Sequence, residues 1–227
     1  MSGVPARSKK IFYHFIPGQY GLEAIRSKRL KIARINELND PFEFGAVIGG
    51  PVFNRTSENF KAIAHDEYGI ICFSSIWNHP LMWSHYAEKH SGIALGFSIV
   101  SDADDKEMNR VKYSSKRPVS PSKEATQSER ENIFWLQLYS KAEFWKYERE
   151  YRLVLGLAVP DPVTELFFHD FNGYLNLEEV IIGERCKVST DRVFKILNTA
   201  SIKVAVYKAK CSKSHFIMDR DQVVDNP

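Results

Sequence analysis

The sequence predicts a mixed α+β fold, with a strand-rich core and short interspersed helices. Apolar runs of strand length, bounded by turn residues, recur along the chain, but they do not alternate regularly with helices as in a βαβ fold. The 227 residues are 44% hydrophobic and 13% aromatic, enough to bury a substantial core. We therefore expect a single domain over residues 11–227, preceded by a basic tail over residues 1–10.

The first half of the chain is predicted to contain four strands and two helices. Strands are expected where apolar, β-branched and aromatic residues run between breakers such as Pro17-Gly18. The second helix is expected to end before Gly92, because glycine suits a helix C-terminal cap. The predicted strands are 11–16, 30–35, 68–74 and 93–97, and the predicted helices are 21–27 and 81–90.

The second half begins with a polar insertion near residues 98–131, in which we expect loops and one short strand around Val111 and Tyr113. Ser189 or Thr190 is suited to cap a helix that includes 192–197. The remaining predicted elements are a helix at 132–139 and strands at 145–155, 165–168, 179–182 and 203–208.

Several classes of protein are disfavoured by composition and motifs. No apolar run approaches the roughly 18 residues that a membrane helix needs, and the N-terminus lacks an apolar signal segment, so we expect a cytoplasmic protein with no membrane partner. Neither a glycine-rich dinucleotide fingerprint nor a phosphate loop occurs. The three cysteines are widely spaced, which argues against a disulfide framework or zinc knuckle.

A metal site and a serine hydrolase are also disfavoured. His79, His85 and His90 lack the spacing of a helical zinc pair, so no metal is expected. Ser74 and Ser84 do not lie in a G-x-S-x-G elbow.

The strongest chemical signal is the charged run in the predicted strand 145–155. Side chains alternate along a strand, so Lys146, Glu148, Glu150 and Arg152 would share one face. The two carboxylates would then lie about 7 Å apart, two strand rises of roughly 3.3 Å. Such a pair disfavours joint ionisation unless a cation, ligand or water lies nearby, which predicts a functional site. A solvated edge strand is the alternative.

Two further segments supply candidate residues. Tyr13-His14 lies on the first predicted strand. In the helix 81–90, Tyr86 or Trp83 could serve as a stacking platform for a planar ring, with core packing as the alternative.

Five segments, in order along the chain, resemble a bacterial family catalogued as domain of unknown function 2971. The resemblance covers residues 11–183 approximately, and the family implies no established activity. The segments are Tyr13-His14, LNDPFE (38–43), CFS (72–74), LMWSHYAEKHSGIALGF (81–97) and WKYEREYRLV (145–154).

A more remote resemblance suggests an activity. The order histidine, aromatic residue, glutamate is similar to the His-Tyr-Glu layout of ADP-ribosyltransferases, and Glu148-x-Glu150 is similar to the paired glutamates of toxin-type members. The resemblance implies a split sheet and an NAD-consuming enzyme, either a transferase or an NAD glycohydrolase, acting as a toxin or phage-defence effector. Tyr86 departs from that pattern because it is predicted on a helix, so Phe73 or Trp83 stay open for the stacking role.

The resemblance also implies a role for each candidate. Glu150 would stabilise positive charge on the NAD ribose, and Glu148 would orient or deprotonate an acceptor, either protein or nucleic acid. Tyr86 would stack on nicotinamide and His14 would hydrogen-bond the adenosine ribose. Arg152, or a cation of the first segment, would meet the pyrophosphate. Further candidate substrate-binding residues are Tyr13, Asn39, Ser74, Trp83 and His85.

Two other hypotheses remain open. The net charge of +3 is small, but eight basic residues crowd the first segment from Arg7 to Arg34. With the aromatics of 81–90 and the insertion at 98–131, they would suit a non-enzymatic module that binds nucleic acid or protein. Alternatively, the charged run at 148–152 forms a structural ion network with those basic residues.

Overall fold

The computed structural model describes residues 9–43, 62, 64–99, 108–117, 126–171 and 174–223. They form a strand-rich mixed α+β structure with short helices, which confirms the predicted fold class. The described residues fall into two compact units. Unit 1 comprises those within 1–29, 74–103 and 170–227, and unit 2 those within 30–73 and 104–169. The expectation of a single domain stays a prediction.

The described strands and helices follow one another closely along the chain. The strands are β1 (Phe12–Ile16), β2 (Arg29–Arg34), β3 (Tyr68–Ser74), β4 (Ile93–Ile99), β5 (Met108–Arg110), β6 (Lys112–Ser114), β7 (Ser140–Ala142), β8 (Glu150–Gly156), β9 (Phe167–Asp170), β10 (Leu175–Ile182), β11 (Ala205–Cys211) and β12 (Met218–Val223). The helices are α1 (Gly18–Ser27), α2 (Pro80–Tyr86), α3 (Gln127–Leu138) and α4 (Thr190–Thr199), with 3-10 turns at Ile35–Glu37 and Glu143–Glu148.

Unit 1 is built on a sheet of strand order β12-β11-β10-β4-β1. Strand β4 pairs antiparallel with both β1 and β10, and β10 pairs parallel with β11. Six of the seven residues of β4 are buried, as expected for an apolar run covered on both faces. A bulge between Leu177 and Glu179 shifts the register of β10 against β4.

Two amphipathic helices complete the core of unit 1. Helix α1 buries Leu22 and Ile25, and α4 buries Val193, Ile196 and Leu197 at helical spacing. Ser189 Oγ accepts a hydrogen bond from the Arg192 backbone N–H at 3.3 Å, so Ser189 is the predicted N-cap. Among the described residues, no helix is both long and apolar enough to cross a membrane.

The helix predicted over 81–90 is wrong beyond Tyr86. Glu88, Lys89 and His90 all have left-handed φ angles, of 50°, 55° and 72°, which end the helix early. The chain then packs tightly, because a Cβ on Gly92 would lie 2.4 Å from the Ile16 carbonyl oxygen. Gly92 therefore serves close backbone packing and does not follow a helix end directly.

Unit 2 contains the strand pairs β2–β3, β3–β8 and β5–β8, and β9 lies beside β2. Strands β6 and β7 pair parallel, with Tyr113 opposite Lys141. Its core includes Ile35, Ala64, Ile70, Leu138 and Tyr139. The described part of the polar insertion thus contains two short strands, β5 and β6, where one was expected. Strands β7 in unit 2 and β12 in unit 1 were not expected.

The strand predicted over 145–155 is wrong for its first five residues. Glu143–Glu148 is a 3-10 turn, Arg149 follows with a left-handed φ of 45°, and the strand begins only at Glu150. The aromatic and charged residues of 145–149 are compatible with a strand or with a 3-10 turn. The structure has the 3-10 turn, and Glu148 at its end is buried.

Replacing Gly92 by alanine should destabilise the protein by about 1–3 kcal/mol or more, because the new Cβ would meet backbone atoms of Ile16 and Ala87 at 2.4 and 2.8 Å. Gly156→Ala is the matched control, since its Cβ would have no neighbour within 4 Å. Thermal denaturation of both variants measures the difference. Equal melting temperatures would contradict the close packing at Gly92.

Candidate functional site

Unit 2 buries a cluster of three carboxylates and two cations, which we call the buried ion cluster. Each of the five residues is 6% exposed or less. The members are Glu43, Lys141, Glu148, Glu150 and Arg152. Charged residues are almost never this buried unless they are paired, so their mutual contacts define the site.

Different elements of unit 2 supply the members of the buried ion cluster. Glu150 and Arg152 lie two residues apart on β8, and so share one face of the strand. Lys141 lies on β7, and Glu148 ends the 3-10 turn. Glu43 is placed by a turn in which its N–H donates to the Asp40 carbonyl at 2.9 Å.

Arg152 is fixed by three acceptors. Its Nε and Nη2 donate to the two oxygens of Glu150 at 2.7 and 3.0 Å, a bidentate pair. Its Nη2 also donates to Glu43 Oε2 at 2.6 Å, and its Nη1 donates to the Leu138 carbonyl at 2.7 Å. The guanidinium is therefore held in one plane and one position.

Lys141 contacts all three carboxylates of the cluster. Its Nζ lies 2.7 Å from Glu148 Oε2, 2.9 Å from Glu43 Oε1 and 3.3 Å from Glu150 Oε2. It also lies 4.9 Å from the centre of the Trp145 ring, within cation–π range. One ammonium thus bridges residues that come from three separate segments.

The cluster keeps Glu150 ionised. Burial alone would raise the pKa of Glu150, but the positive charges of Arg152 and then Lys141 outweigh burial and hold that pKa at about 2. Two cations thus face three carboxyl groups, so the cluster holds one more carboxyl group than cations.

The polar neighbours of Glu150 are neutral. Burial raises the pKa of the Cys72 thiol well above its ordinary value, and the charge of Glu150 raises it further. Burial also raises the pKa of Tyr113, whose hydroxyl accepts the Glu150 backbone N–H at 2.8 Å. These groups stay protonated at neutral pH and add no charge to the site.

Three of the predicted site residues come together, namely Glu148, Glu150 and Arg152. Lys146, expected on the same face, is instead exposed and lies 3.8 Å from Glu143. Because the two glutamates are buried, the solvated edge strand is wrong. The structural-network hypothesis named the first-segment basic residues as partners, whereas the described ion pairs of these glutamates are with Lys141 and Arg152.

Four described basic residues of the first segment form ion pairs with carboxylates of their own units. These ion pairs neutralise part of the positive charge that was expected of the basic patch. The pairs are Lys9 with Glu178, Arg26 with Glu23, Lys31 with Glu37, and Arg34 with Asp66.

Most of the other predicted site residues lie in unit 1. Trp83 is fully buried, packs edge-on against Phe15 with ring centres 5.2 Å apart, and donates to the Trp77 carbonyl at 2.6 Å. Neither face of this indole is open to a ligand. Ser74 is also fully buried, and its Oγ accepts the Ile76 N–H at 3.2 Å.

The remaining candidates differ in exposure. Tyr13 is buried, and its phenol hydrogen-bonds Glu179 and Arg220 of the same unit. His14 and Tyr86 are half-buried and His85 is exposed, all in unit 1, whereas Asn39 is exposed in unit 2. His14 and Tyr86 therefore belong to a different unit from Glu150, and their convergence on one substrate stays a prediction.

Sequence reasoning missed the roles of Glu43, Lys141, Tyr113 and Cys72. Glu43 and Cys72 both lie in quoted motifs, LNDPFE and CFS, so a signal was present. Lys141 gave no signal, because a single lysine in a mixed segment is typical of solvent-exposed surface.

Comparison with known proteins gives a match to a family model over part of the chain. Residues 82–153 match the family described as "Protein of unknown function (DUF2971)". The match confirms the family resemblance over this segment, which includes Lys141, Glu148, Glu150 and Arg152 but not Glu43. No curated protein and no solved structure matches the chain.

Removal of the lysine charge should destabilise the protein strongly. In Lys141→Met, three buried carboxylates would share one cation, and we expect a loss of about 3–5 kcal/mol in the free energy of unfolding. Lys146→Met, which removes an exposed lysine five residues later, should cost about 0–1 kcal/mol. Denaturant titration of both variants measures these losses, and equal losses would contradict a stabilising role for Lys141.

Acid should weaken the fold through Glu150. Its pKa in the folded protein, about 2, lies below the ordinary value of 4.5, so its contribution to stability is full above about pH 4.5 and is lost as pH falls towards 2. Glu150→Gln should therefore show a shallower loss of stability across this window than the parent protein. Urea unfolding at several pH values measures the slope, with Glu143→Gln, an exposed glutamate, as control. Parallel slopes for Glu150→Gln and the parent would refute this assignment.

Proposed function

We propose that the protein is an NAD-consuming enzyme of the ADP-ribosyltransferase type, acting as a transferase or as an NAD glycohydrolase. The observation that carries the proposal is the burial of three carboxyl groups against only two cations, together with the lowered pKa of Glu150. A buried negative charge that its cations leave incompletely neutralised favours a positively charged group nearby.

Cleavage of the bond between nicotinamide and ribose creates such a group. The ribose acquires positive charge in the transition state, as in glycoside cleavage, whereas the sugar itself is uncharged in the ground state. A fixed carboxylate in a low-dielectric site therefore stabilises the transition state more than the substrate. Glu150 is the carboxylate that we assign to this role.

The other members of the cluster support Glu150. Arg152 is fully engaged by Glu150, Glu43 and the Leu138 carbonyl, so we assign it a positioning role in place of a contact with pyrophosphate. Lys141 contributes to the same positioning. Glu148, 2.7 Å from Lys141, is the second carboxylate and orients the acceptor.

Burial sets a condition on this mechanism. Glu150 is only 4% exposed, so ribose reaches it only when a covering side chain moves. His14 would hydrogen-bond the adenosine ribose and Tyr86 would stack on nicotinamide, as the resemblance implies. The activity requires no metal. An enzyme of this kind would act in the cytoplasm. Its depletion of NAD there would make it a toxin or a phage-defence effector.

Release of nicotinamide from NAD by the purified full-length protein tests the proposal. The parent protein should release nicotinamide, and Glu150→Gln should lower the rate roughly 10²–10³-fold, the usual effect of removing one electrostatic contact to a transition state. Glu143→Gln removes the same charge from an exposed glutamate and should retain the parent rate. Melting temperatures of all three proteins separate lost chemistry from lost folding.

Two outcomes would overturn the proposal. An unchanged rate in folded Glu150→Gln would exclude this carboxylate from the chemistry. Absence of nicotinamide release, together with no thermal shift on addition of NAD, would leave the buried ion cluster with a purely structural role.

A further inference from the structure

A cluster of exposed cations lies on unit 2 beside the β8 strand. The segment Met108–Arg117 contains four basic residues and no carboxylate. The side chains of Arg110, Lys112 and Lys116 are exposed, and none of them forms an ion pair with any residue that the structure describes. Within the part of the chain that the structure describes, these three cations have no carboxylate partner, unlike the four paired cations of the first segment.

Strand pairing places these cations near the start of β8. Arg110 lies opposite Tyr151 in the β5–β8 pair, and the Val111 N–H between the two cations donates to the Glu150 carbonyl at 3.0 Å. Arg149, also exposed, precedes Glu150 in the chain. Arg110, Lys112 and Arg149 therefore all belong to backbone segments that adjoin the start of β8.

An exposed aromatic platform adjoins the same segment. Trp135 is 46% exposed and stacks on Tyr139, with ring centres 6.1 Å apart and planes 13° from parallel. The Lys112 N–H donates to the Tyr139 carbonyl at 2.7 Å, and the Asn109 amide donates to the Tyr139 hydroxyl at 3.4 Å. The stacked pair is thus tied directly to the basic segment.

A second exposed aromatic residue lies at the other end of that segment. Phe42 is 57% exposed, and the guanidinium of Arg117 lies 6.0 Å from the centre of its ring. Flat apolar surfaces and cations therefore alternate over this part of unit 2.

We propose that this surface, formed by Arg110, Lys112, Lys116, Arg117, Trp135 and Phe42, binds single-stranded nucleic acid. Cations contact the regularly spaced phosphates of such a strand, while exposed aromatic rings stack on its bases. A duplex conceals the faces of its bases, so Trp135 would have no stacking partner there. The proposal does not rest on NAD cleavage, although a strand bound here would lie beside the residues that flank Glu150.

Fluorescence anisotropy with labelled single-stranded oligonucleotides tests the proposal on the full-length protein. The double variant Arg110→Gln/Lys112→Gln should bind more weakly and lower the slope of log affinity against log salt by about 1.4, or roughly 0.7 for each lost phosphate contact. Lys187→Gln/Lys213→Gln, which removes two exposed lysines of unit 1, should leave affinity and slope nearly unchanged.

The stacking part of the proposal has its own variant. Trp135→Ala should weaken binding roughly ten-fold without changing the salt slope, because it removes stacking and no charge. Circular dichroism and thermal melts check that each variant is folded. If Trp135→Ala unfolds, the Arg110→Gln/Lys112→Gln variant still tests the proposal, because its substitutions are at exposed residues.

Three results would overturn the proposal. The first is equal affinity for the Arg110/Lys112 and Lys187/Lys213 variants. The second is tighter binding to duplex than to single strands of the same sequence. The third combines two findings: the protein binds heparin, an anionic polymer without bases, as tightly as it binds single-stranded oligonucleotides, and the folded Trp135→Ala variant binds oligonucleotides as tightly as the parent. Together these findings would indicate attraction to any polyanion.

Discussion

The sharing of two buried cations among three buried carboxylates is the constraint on which unit 2 depends. Lys141 and Arg152 together contact the turn that carries Glu43, the end of the 3-10 turn and the start of β8. Arg152 also satisfies the carbonyl of Leu138, the last residue of α3. Loss of either cation would leave buried carboxyl groups without a partner, which costs far more than the loss of an apolar contact of similar size. The segments are therefore held in one mutual arrangement.

The left-handed residue Arg149 makes that sharing geometrically possible. In a regular strand, Glu148 and Glu150 would be separated by two rises, about 7 Å along one face. The 3-10 turn and the reversal at Arg149 instead bring both carboxylates within 3.3 Å of a single Lys141 Nζ. A non-glycine residue in this conformation is mildly strained, and the contacts of the ion cluster offset that strain. Local backbone geometry and cluster electrostatics therefore support each other.

The sequence carried enough information for the fold class and for half of the site. Strand β3 was predicted with correct ends because its apolar run ends at polar residues. The cap of α4 was predicted as Ser189 or Thr190 because capping chemistry is local, and Ser189 is the one that caps. Glu150 and Arg152 were correctly placed on one strand face because period-two alternation is also local. Lys141 could not be predicted, because its burial depends on the β6–β7 pair and on carboxylates from distant segments. The positive φ at Arg149 likewise depends on tertiary contacts that no local preference of arginine encodes.

The family match sharpens what the cluster means. Residues 82–153 contain both cations and two of the three carboxylates, so an arrangement of two cations and two anions lies within the matched segment. That set has equal numbers of cations and carboxyl groups, and Glu43, from outside the segment, adds a third carboxyl group. Structural pairing alone would be complete without Glu43, because Lys141 and Arg152 each already contact a glutamate of the matched segment. The third carboxylate is therefore the feature that pairing does not require, and it is the one that favours a cationic transition state over a purely structural network.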